Sequence, residues 1–238
     1  MAESRRRAGI QTTAARYQVR PMDFGDISQV MEIEQESFLN NWPTTAFKRE
    51  LQNNRLARYL VAVERREEAE EPSAPLAEHE LRTATVPPQR LGRWLGELKR
   101  LFGVEEGEAE TSREPIVGFV GIWLMPDEAH IVTIAVRESH RGRGIGELLL
   151  IAAIELAALD DREVVTLEVR ASNQAAQALY EKYGFKRVGV RHRYYSDNQE
   201  DAVIMTTDSI RSPSYQALCQ RLRQEHRERC GHYELDLS

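Results

Sequence analysis

Arg141-Gly142-Arg143-Gly144-Ile145-Gly146 decides the reading of this chain. It follows the β-branched run His130-Ile131-Val132-Thr133-Ile134-Ala135-Val136 and opens onto an apolar stretch at 148–159. A glycine-rich turn between a strand and a helix presents unpaired backbone N–H groups at the positive end of a helix dipole. That is a seat for a phosphate or pyrophosphate. Glycine lets the ligand reach the backbone, and the arginines add charge-assisted contacts. Residues 142–147 (Gly142, Arg143, Gly144, Ile145, Gly146 and Glu147) are therefore the candidate phosphate-binding set. A P-loop would end in Gly-Lys-Ser/Thr, and no lysine lies here. The dinucleotide fingerprint spaces its glycines G-x-G-x-x-G, against G-x-G-x-G here, although Asp161 leaves its acidic partner position open.

The chain beyond the turn narrows the choice. Residues 164–170 alternate, with Val165, Leu167 and Val169 on one face of a strand and Thr166, Glu168 and Arg170 on the other. A carboxylate is disfavoured in mid-strand; Glu168 marks a solvated sheet face, a partner for Arg170, or a working group. Asn173 is placed to cap a helix over 174–183, and Gly184 to end it in the left-handed conformation. Tyr180 lies two helical turns after Asn173, on the same face. A helical tyrosine is commonly a core residue.

The pattern Arg-x-x-Gly-x-Gly at 141–146 resembles the pyrophosphate loop of the GNAT acyltransferases. Three further blocks sharpen the resemblance: Leu167-Glu168-Val169-Arg170-Ala171-Ser172-Asn173, then Ala178-Leu179-Tyr180 with Tyr183-Gly184-Phe185, then Arg193-Tyr194-Tyr195 with Glu200-Asp201-Ala202 and Met205. Together they look like the RimI-type ribosomal-protein-alanine N-acetyltransferases, over about residues 17–207 less an insertion. The resemblance implies a GNAT fold, an α/β domain with a central mixed sheet flanked by helices. It implies acetyl-CoA as co-substrate, and as acceptor the N-terminal alanine of a small-subunit ribosomal protein, the eighteenth by its standard name. It assigns Glu168 as general base and Tyr180 as donor to the departing thiolate. It assigns a backbone N–H among Ile134, Ala135 and Val136 to the thioester carbonyl, and Asn173 to the pantetheine arm. Tyr194 and Tyr195 match tyrosines that hold the substrate N-terminus. Trp42 aligns with the tryptophan of a Pro-Trp-Ser element, but Asn41 and Pro43 flank it here. As adjacent strand residues, Tyr194 and Tyr195 would face opposite ways, leaving one directed at substrate.

The remaining sequence fits one catalytic domain. The elements read β-α-α-β-β-β-α-β-α-β-β, with a helix over 23–40, a second capped by Thr44 or Thr45, and strands on both sides of Ser196-Asp197-Asn198. The domain is expected over 17–210, after a disordered segment at 1–16 and before a partly helical tail at 211–238. An insertion at 65–114 separates two strands that would normally form a hairpin. Its first part is charged and proline-containing, as in a solvated linker. Residues 90–102 carry an apolar stripe (Leu91, Trp94, Leu95, Leu98, Leu101, Phe102) that suits packing on the domain itself or on a partner. Among 238 residues the net charge is −6, which argues against a general nucleic-acid binder. No apolar run reaches the length of a membrane span, and no signal-peptide core follows the N-terminal arginines. Two cysteines, Cys219 and Cys230, suggest a reducing cytoplasm without a disulfide framework. No cluster has metal-ligand spacing, so no metal is expected.

The chemistry agrees with an α-amine acceptor. An amine attacks a thioester only when neutral. An N-terminal amine titrates near about 7.7–8.0 and lysine near about 10.4. A carboxylate of ordinary pKa near about 4.3 is a weak base, and suits the easier acceptor. A ping-pong route would need an acylatable nucleophile, and both cysteines lie beyond the expected catalytic core. Two other functions remain open at this level: a GNAT acting on lysine or a small amine, and a non-catalytic acyl-CoA-binding regulator.

Overall fold

A computed structural model of the chain describes residues 16–38, 43–65 and 114–238. Trp42, residues 1–15 and residues 66–113, which include the striped segment 90–102, lie outside this set. The elements are β1 (Tyr17–Pro21), a 3₁₀ turn (Phe24–Asp26), α1 (Ile27–Ser37), α2 (Thr44–Asn53), β2 (Ala57–Glu64), β3 (Ile116–Leu124), β4 (Glu128–Val136), α3 (Ile145–Leu159), β5 (Val164–Arg170), α4 (Gln174–Lys182), β6 (Lys186–Arg191), β7 (Ala202–Thr206), α5 (Pro213–Cys230) and β8 (Tyr233–Leu235). These strands form one sheet in the order β6-β7-β5-β4-β3-β2-β1-β8. Among the described residues only β4–β5 and β1–β8 pair in parallel. The chain therefore has the expected α/β fold with a mixed sheet, and β2 and β3 pair antiparallel although the insertion separates them.

Side-chain alternation builds a core on each face. On β2, Leu60 and Ala62 join the core that contains α3, while Tyr59, Val61 and Val63 join the one that contains Val30 and Ile33 of α1. Strands covered on both faces read as continuous apolar runs, as β2 and β3 do. Phe47 of α2 anchors the second core, edge-on to Tyr59 at 5.7 Å and to Phe119 at 6.0 Å.

Some local expectations are corrected. The helix read over 23–40 begins as a 3₁₀ turn, because the Asp23 carboxylate accepts from Gly25 and the Asp26 carboxylate accepts in return from the Asp23 N–H. It ends at Ser37, where Phe38 is extended. Neither Thr44 nor Thr45 caps α2; Pro43 takes the cap position and Thr44 is already helical. The segment 211–238, expected beyond the domain, adds a helix and a strand to it. Ser212 caps α5 and Pro213 opens it. Tyr215, Cys219, Leu222 and Tyr233 enter the α3-side core, and β8 aligns Tyr233 with Tyr17 of β1.

Glu147 ties these helices together. Its buried carboxylate accepts from Lys182 Nζ at 2.7 Å, from Tyr183 Oη at 2.9 Å and from the Arg229 guanidinium. Burial raises its pKa, but the Lys182 ammonium and Tyr183 hydroxyl outweigh this, and the net direction is downward from 4.5. A carboxylate whose folded pKa is depressed contributes stability at neutral pH that is lost as pH falls through that pKa. Glu147→Ala strands three donors and is expected to cost about 2–4 kcal/mol in urea denaturation at pH 7. The gap between wild type and variant should narrow as pH is lowered from about 5 toward 3.

Candidate active site

The sheet parts at its centre. β4 and β5 pair only from Glu128↔Val164 to Ile131↔Leu167. Beyond these residues β4 runs on to Val136 and β5 to Arg170 without pairing to each other. The parting starts at a bulge: Gly121 of β3 opposes Thr133 and Ile122 opposes Ile131, so Val132 is an extra residue on β4. A bulge bends its strand and ends regular pairing. β5 meanwhile stays fully paired to β7 through Arg170↔Ala202, so the gap opens on one side only. Past Ile131, β4 therefore has no ladder partner on its β5 side.

This gap connects the two faces of the sheet. Val165, Leu167 and Val169 point into the α3-side core together with Tyr180, so Glu168 points to the α1 side. A cleft of about 130 Å³ reaches both: its lining includes Ile134, Glu168, Asn173, Tyr180 and Tyr195. A second cleft of about 230 Å³ continues on the α1 side, between Glu34, Phe38, Phe47, Tyr194 and Asp197. Phe38, Val132, Thr133, Arg170 and Tyr195 line both.

Glu168 is held by more than the sequence pattern indicates. Its side chain is 8% exposed; Oε2 lies 3.0 Å from His130 Nε2 and Oε1 lies 2.9 Å from Arg191 Nε. His130 is itself fixed, with Nδ1 2.8 Å from Thr166 Oγ1. Parallel pairing sets His130 opposite Thr166, one alternation from Glu168; a histidine on a strand otherwise apolar around it is the available signal. Arg170, one alternative partner for Glu168, instead donates to Asp197 at 2.7 Å and to Glu200 at 3.2 Å. Glu200 also accepts from the Ser172 N–H at 2.7 Å, and these donors, Ser172 foremost, pull its pKa down to about 2.

Tyr180 is 5% exposed, with its ring 5.7 Å from Phe185. Burial, and secondarily Tyr195, raises its pKa above the ordinary 10.0. Asn173 caps α4 as read, accepting from the Ala176 N–H at 3.1 Å, and Gly184 after the helix has φ +80°. Tyr194 and Tyr195 lie in the β6–β7 loop rather than on a strand. Arg193, at φ +53°, lifts them off the ladder, so strand alternation does not apply. Both line the α1-side cleft, ring to ring at 5.3 Å. The Arg170 guanidinium covers the Tyr195 ring at 3.8 Å. Burial drives the Tyr195 pKa up to about 12 against that positive charge.

The glycine-rich turn forms the N-terminus of α3. Gly142 and Gly144 take left-handed φ of +75° and +84°, a conformation that favours glycine. No atom lies within 4 Å of a Cβ built on Gly142, whereas one on Gly144 would meet Cys230 Sγ at 2.5 Å. The turn is thus open on its outer side and backed by α5, whose His226 ring nitrogen lies 3.0 Å from the Gly144 carbonyl. The first-turn N–H groups have no partner within the helix. Arg143 donates to the Ser139 carbonyl and Arg141 to the carbonyls of Val136 and Glu36. The Glu147 side chain is held inward by its three donors, so only its backbone N–H is available to a phosphate. The open turn and the gap together fit a long donor with an anionic end and a reactive tip. Among the described residues no group of three or more His, Cys, Asp or Glu is arranged to hold a metal, and no helix is long and apolar enough to cross a membrane.

A parted strand pair beside a glycine-opened helix N-terminus defines an acyltransferase of the α/β class, and comparison with known proteins agrees. The model of the acetyltransferase (GNAT) family matches residues 70–185. A Bacillus subtilis (strain 168) protein provisionally named as a ribosomal protein bS18-alanine N-acetyltransferase is 34% identical over 187 residues, 79% of this chain and 92% of its own. The Escherichia coli (strain K12) protein named as a ribosomal protein bS18-alanine N-acetyltransferase is 41% identical over 116 residues, 45% of this chain and 77% of its own. The crystal structure of the ribosomal-protein-S18-alanine N-acetyltransferase from Escherichia coli superposes with a TM-score of 0.55 at 22% identity, covering 81% of this chain and 94% of that one. The chain belongs to the GNAT acetyltransferase family, among its RimI-type N-acetyltransferases.

The geometry selects a clean test of the turn. Gly146→Glu adds an anion where N–H groups converge, yet the nearest atom to its Cβ is Val136 Cγ2 at 3.7 Å, and a first-turn acid favours the helix itself. Calorimetry should show CoA affinity at least about tenfold weaker, with the thermal midpoint unchanged or slightly raised. Unaltered binding would exclude the turn as the phosphate seat.

Proposed function

We propose that this protein is a cytoplasmic enzyme that transfers the acetyl group of acetyl-CoA to the α-amine of an N-terminal alanine, that of a small-subunit ribosomal protein. One observation carries this reading: a single cleft through the sheet is lined by both Glu168 and Tyr180, which lie on opposite faces. A donor laid along the turn and Asn173 on the α3 side can present its thioester to an acceptor entering from the α1 side. The names of the relatives support the choice of acceptor. So does the aromatic wall of Tyr194, Tyr195, Phe38 and Phe47 around the entrance, which suits a chain end.

Each residue then has a task. Glu168 takes a proton from the amine, directly or through one water. His130 and Thr166 hold its carboxylate in place. An N–H in Ile134, Ala135 or Val136, facing the gap, polarises the thioester carbonyl. Tyr180 donates a hydrogen bond to the leaving sulfur. A buried phenol with a raised pKa is a poor source of a whole proton for a thiolate, since a thiol near about 8.5 is the stronger acid. The raised pKa instead keeps Tyr180 protonated, and hence a donor, throughout the working range.

Two measurements test the scheme. A peptide with a free alanine terminus and no lysine, and one with a blocked terminus and a lysine, are incubated with acetyl-CoA and the products located by mass spectrometry. Acetylation is expected on the α-amine, and transfer mainly to lysine would remove the assignment. On the accepted peptide, Glu168→Gln should lower kcat/KM by about 10²–10⁴, with a smaller loss at high pH where free amine is abundant. Tyr180→Phe should lower kcat while retaining most CoA binding. The wild-type rate should rise with pH as the amine deprotonates and show no fall from Tyr180 ionisation up to about pH 10, because burial raises that pKa. Wild-type rates in both variants would overturn the acid–base scheme.

A further inference from the structure

We infer that Arg191 holds the place of the substrate's ammonium on Glu168, and that an incoming amine binds by exchanging with it. This exchange rests on the α-amine acceptor proposed for the cleft and extends it to how the acceptor is admitted. The two partners of the Glu168 carboxylate are held very differently. His130 is 19% exposed and anchored by Thr166, whereas the Arg191 side chain is 56% exposed on β6, the edge strand of the sheet. A guanidinium that is already half in water leaves at small cost. A nearly buried carboxylate left without its cation is costly. The ion pair therefore breaks readily only when another cation takes its place.

The acceptor supplies that cation. At neutral pH an α-amine near about 7.7–8.0 is largely protonated and reaches the cleft as an ammonium. Exchange with Arg191 keeps the charge on Glu168 balanced and brings the ammonium to the group that must deprotonate it. The departing guanidinium has a seat nearby: its central carbon is already 5.6 Å from the centroid of the Tyr194 ring, which is 48% exposed, and cation–π contact favours it there. Tyr194 in turn stands edge-on to Tyr195 at the cleft entrance. A neutral or blocked terminus offers no cation for the exchange. Arg191 thus acts through Glu168 as a selectivity element for charged amines, and its absence makes Glu168 easier to reach.

The test compares wild type, Arg191→Gln and Arg191→Lys on the alanine-terminated and the blocked-terminus lysine peptides, with acetyl-CoA saturating. For the accepted amine, Arg191→Gln should lower KM by about three- to fivefold, as loss of a half-exposed competing ion pair allows. Its kcat should change less than its KM. Arg191→Lys, which keeps a competing cation, should stay near the wild-type KM. In a Glu168→Gln background the Arg191→Gln effect on KM should vanish, an outcome that a merely structural role for Arg191 would not produce. A raised KM in Arg191→Gln would make Arg191 a substrate-binding group, and an unchanged KM would remove the competition; either overturns the exchange. Transfer only to the lysine peptide would instead fail the α-amine reading, and the Arg191 comparison would be made on lysine.

Discussion

The site depends on one interrupted strand pairing. A parallel β4–β5 pair that continued past Ile131 and Leu167 would bond its own amides and close the sheet. The extra residue at Val132 prevents this, and the antiparallel hold of β7 on β5 keeps β5 from following. The two faces of the sheet then communicate where the stretch of β4 past Ile131, Glu168 and Tyr180 meet. A group-transfer enzyme gains from such an opening. In the proposed reaction donor and acceptor enter from different sides, so that neither blocks the other and transfer needs no covalent enzyme intermediate.

The turn at the start of α3 depends on the C-terminal segment. Gly144 carries no side chain where Cys230 packs, and His226 bonds its carbonyl. The Glu147 carboxylate joins α3 to Lys182 and Tyr183 at the end of α4 and to Arg229 of α5. Its negative charge sits one turn into α3, neutralised by Lys182 and Arg229, so it does not oppose an anion at the helix start. The stability of the clasp and the electrostatics of the turn share one cause.

Much of this is legible in the amino-acid order. Val164–Arg170 alternates cleanly, and the structure returns that strand with Glu168 opposite the core residues. The glycine turn between an apolar strand and an apolar helix marks the centre of the fold. The C-terminal segment is less legible because α5 is mostly polar and buries only Tyr215, Cys219, Leu222 and His226, while β8 has three residues. Tyr194 and Tyr195 depart from strand alternation because a strand pattern cannot announce a left-handed Arg193. His130 and Arg191 escape for another reason. Neither strand pattern names a partner for them, and only sheet order brings His130 and Arg191 to the Glu168 carboxylate.

The proposed reaction requires that donor and acceptor meet through the gap between β4 and β5. The most direct measurement is a crystal structure with a bisubstrate compound in which CoA is joined through an acetyl bridge to the α-nitrogen of an alanine-terminated peptide. The pyrophosphate should lie on the N–H groups of 142–147 and the sulfur beside Tyr180. The α-nitrogen should lie on the Glu168 side of the sheet, with the peptide leaving past Tyr194 and Tyr195. A peptide half bound on the α3 side of the sheet, or a CoA half bound away from the turn, would contradict a meeting through the gap.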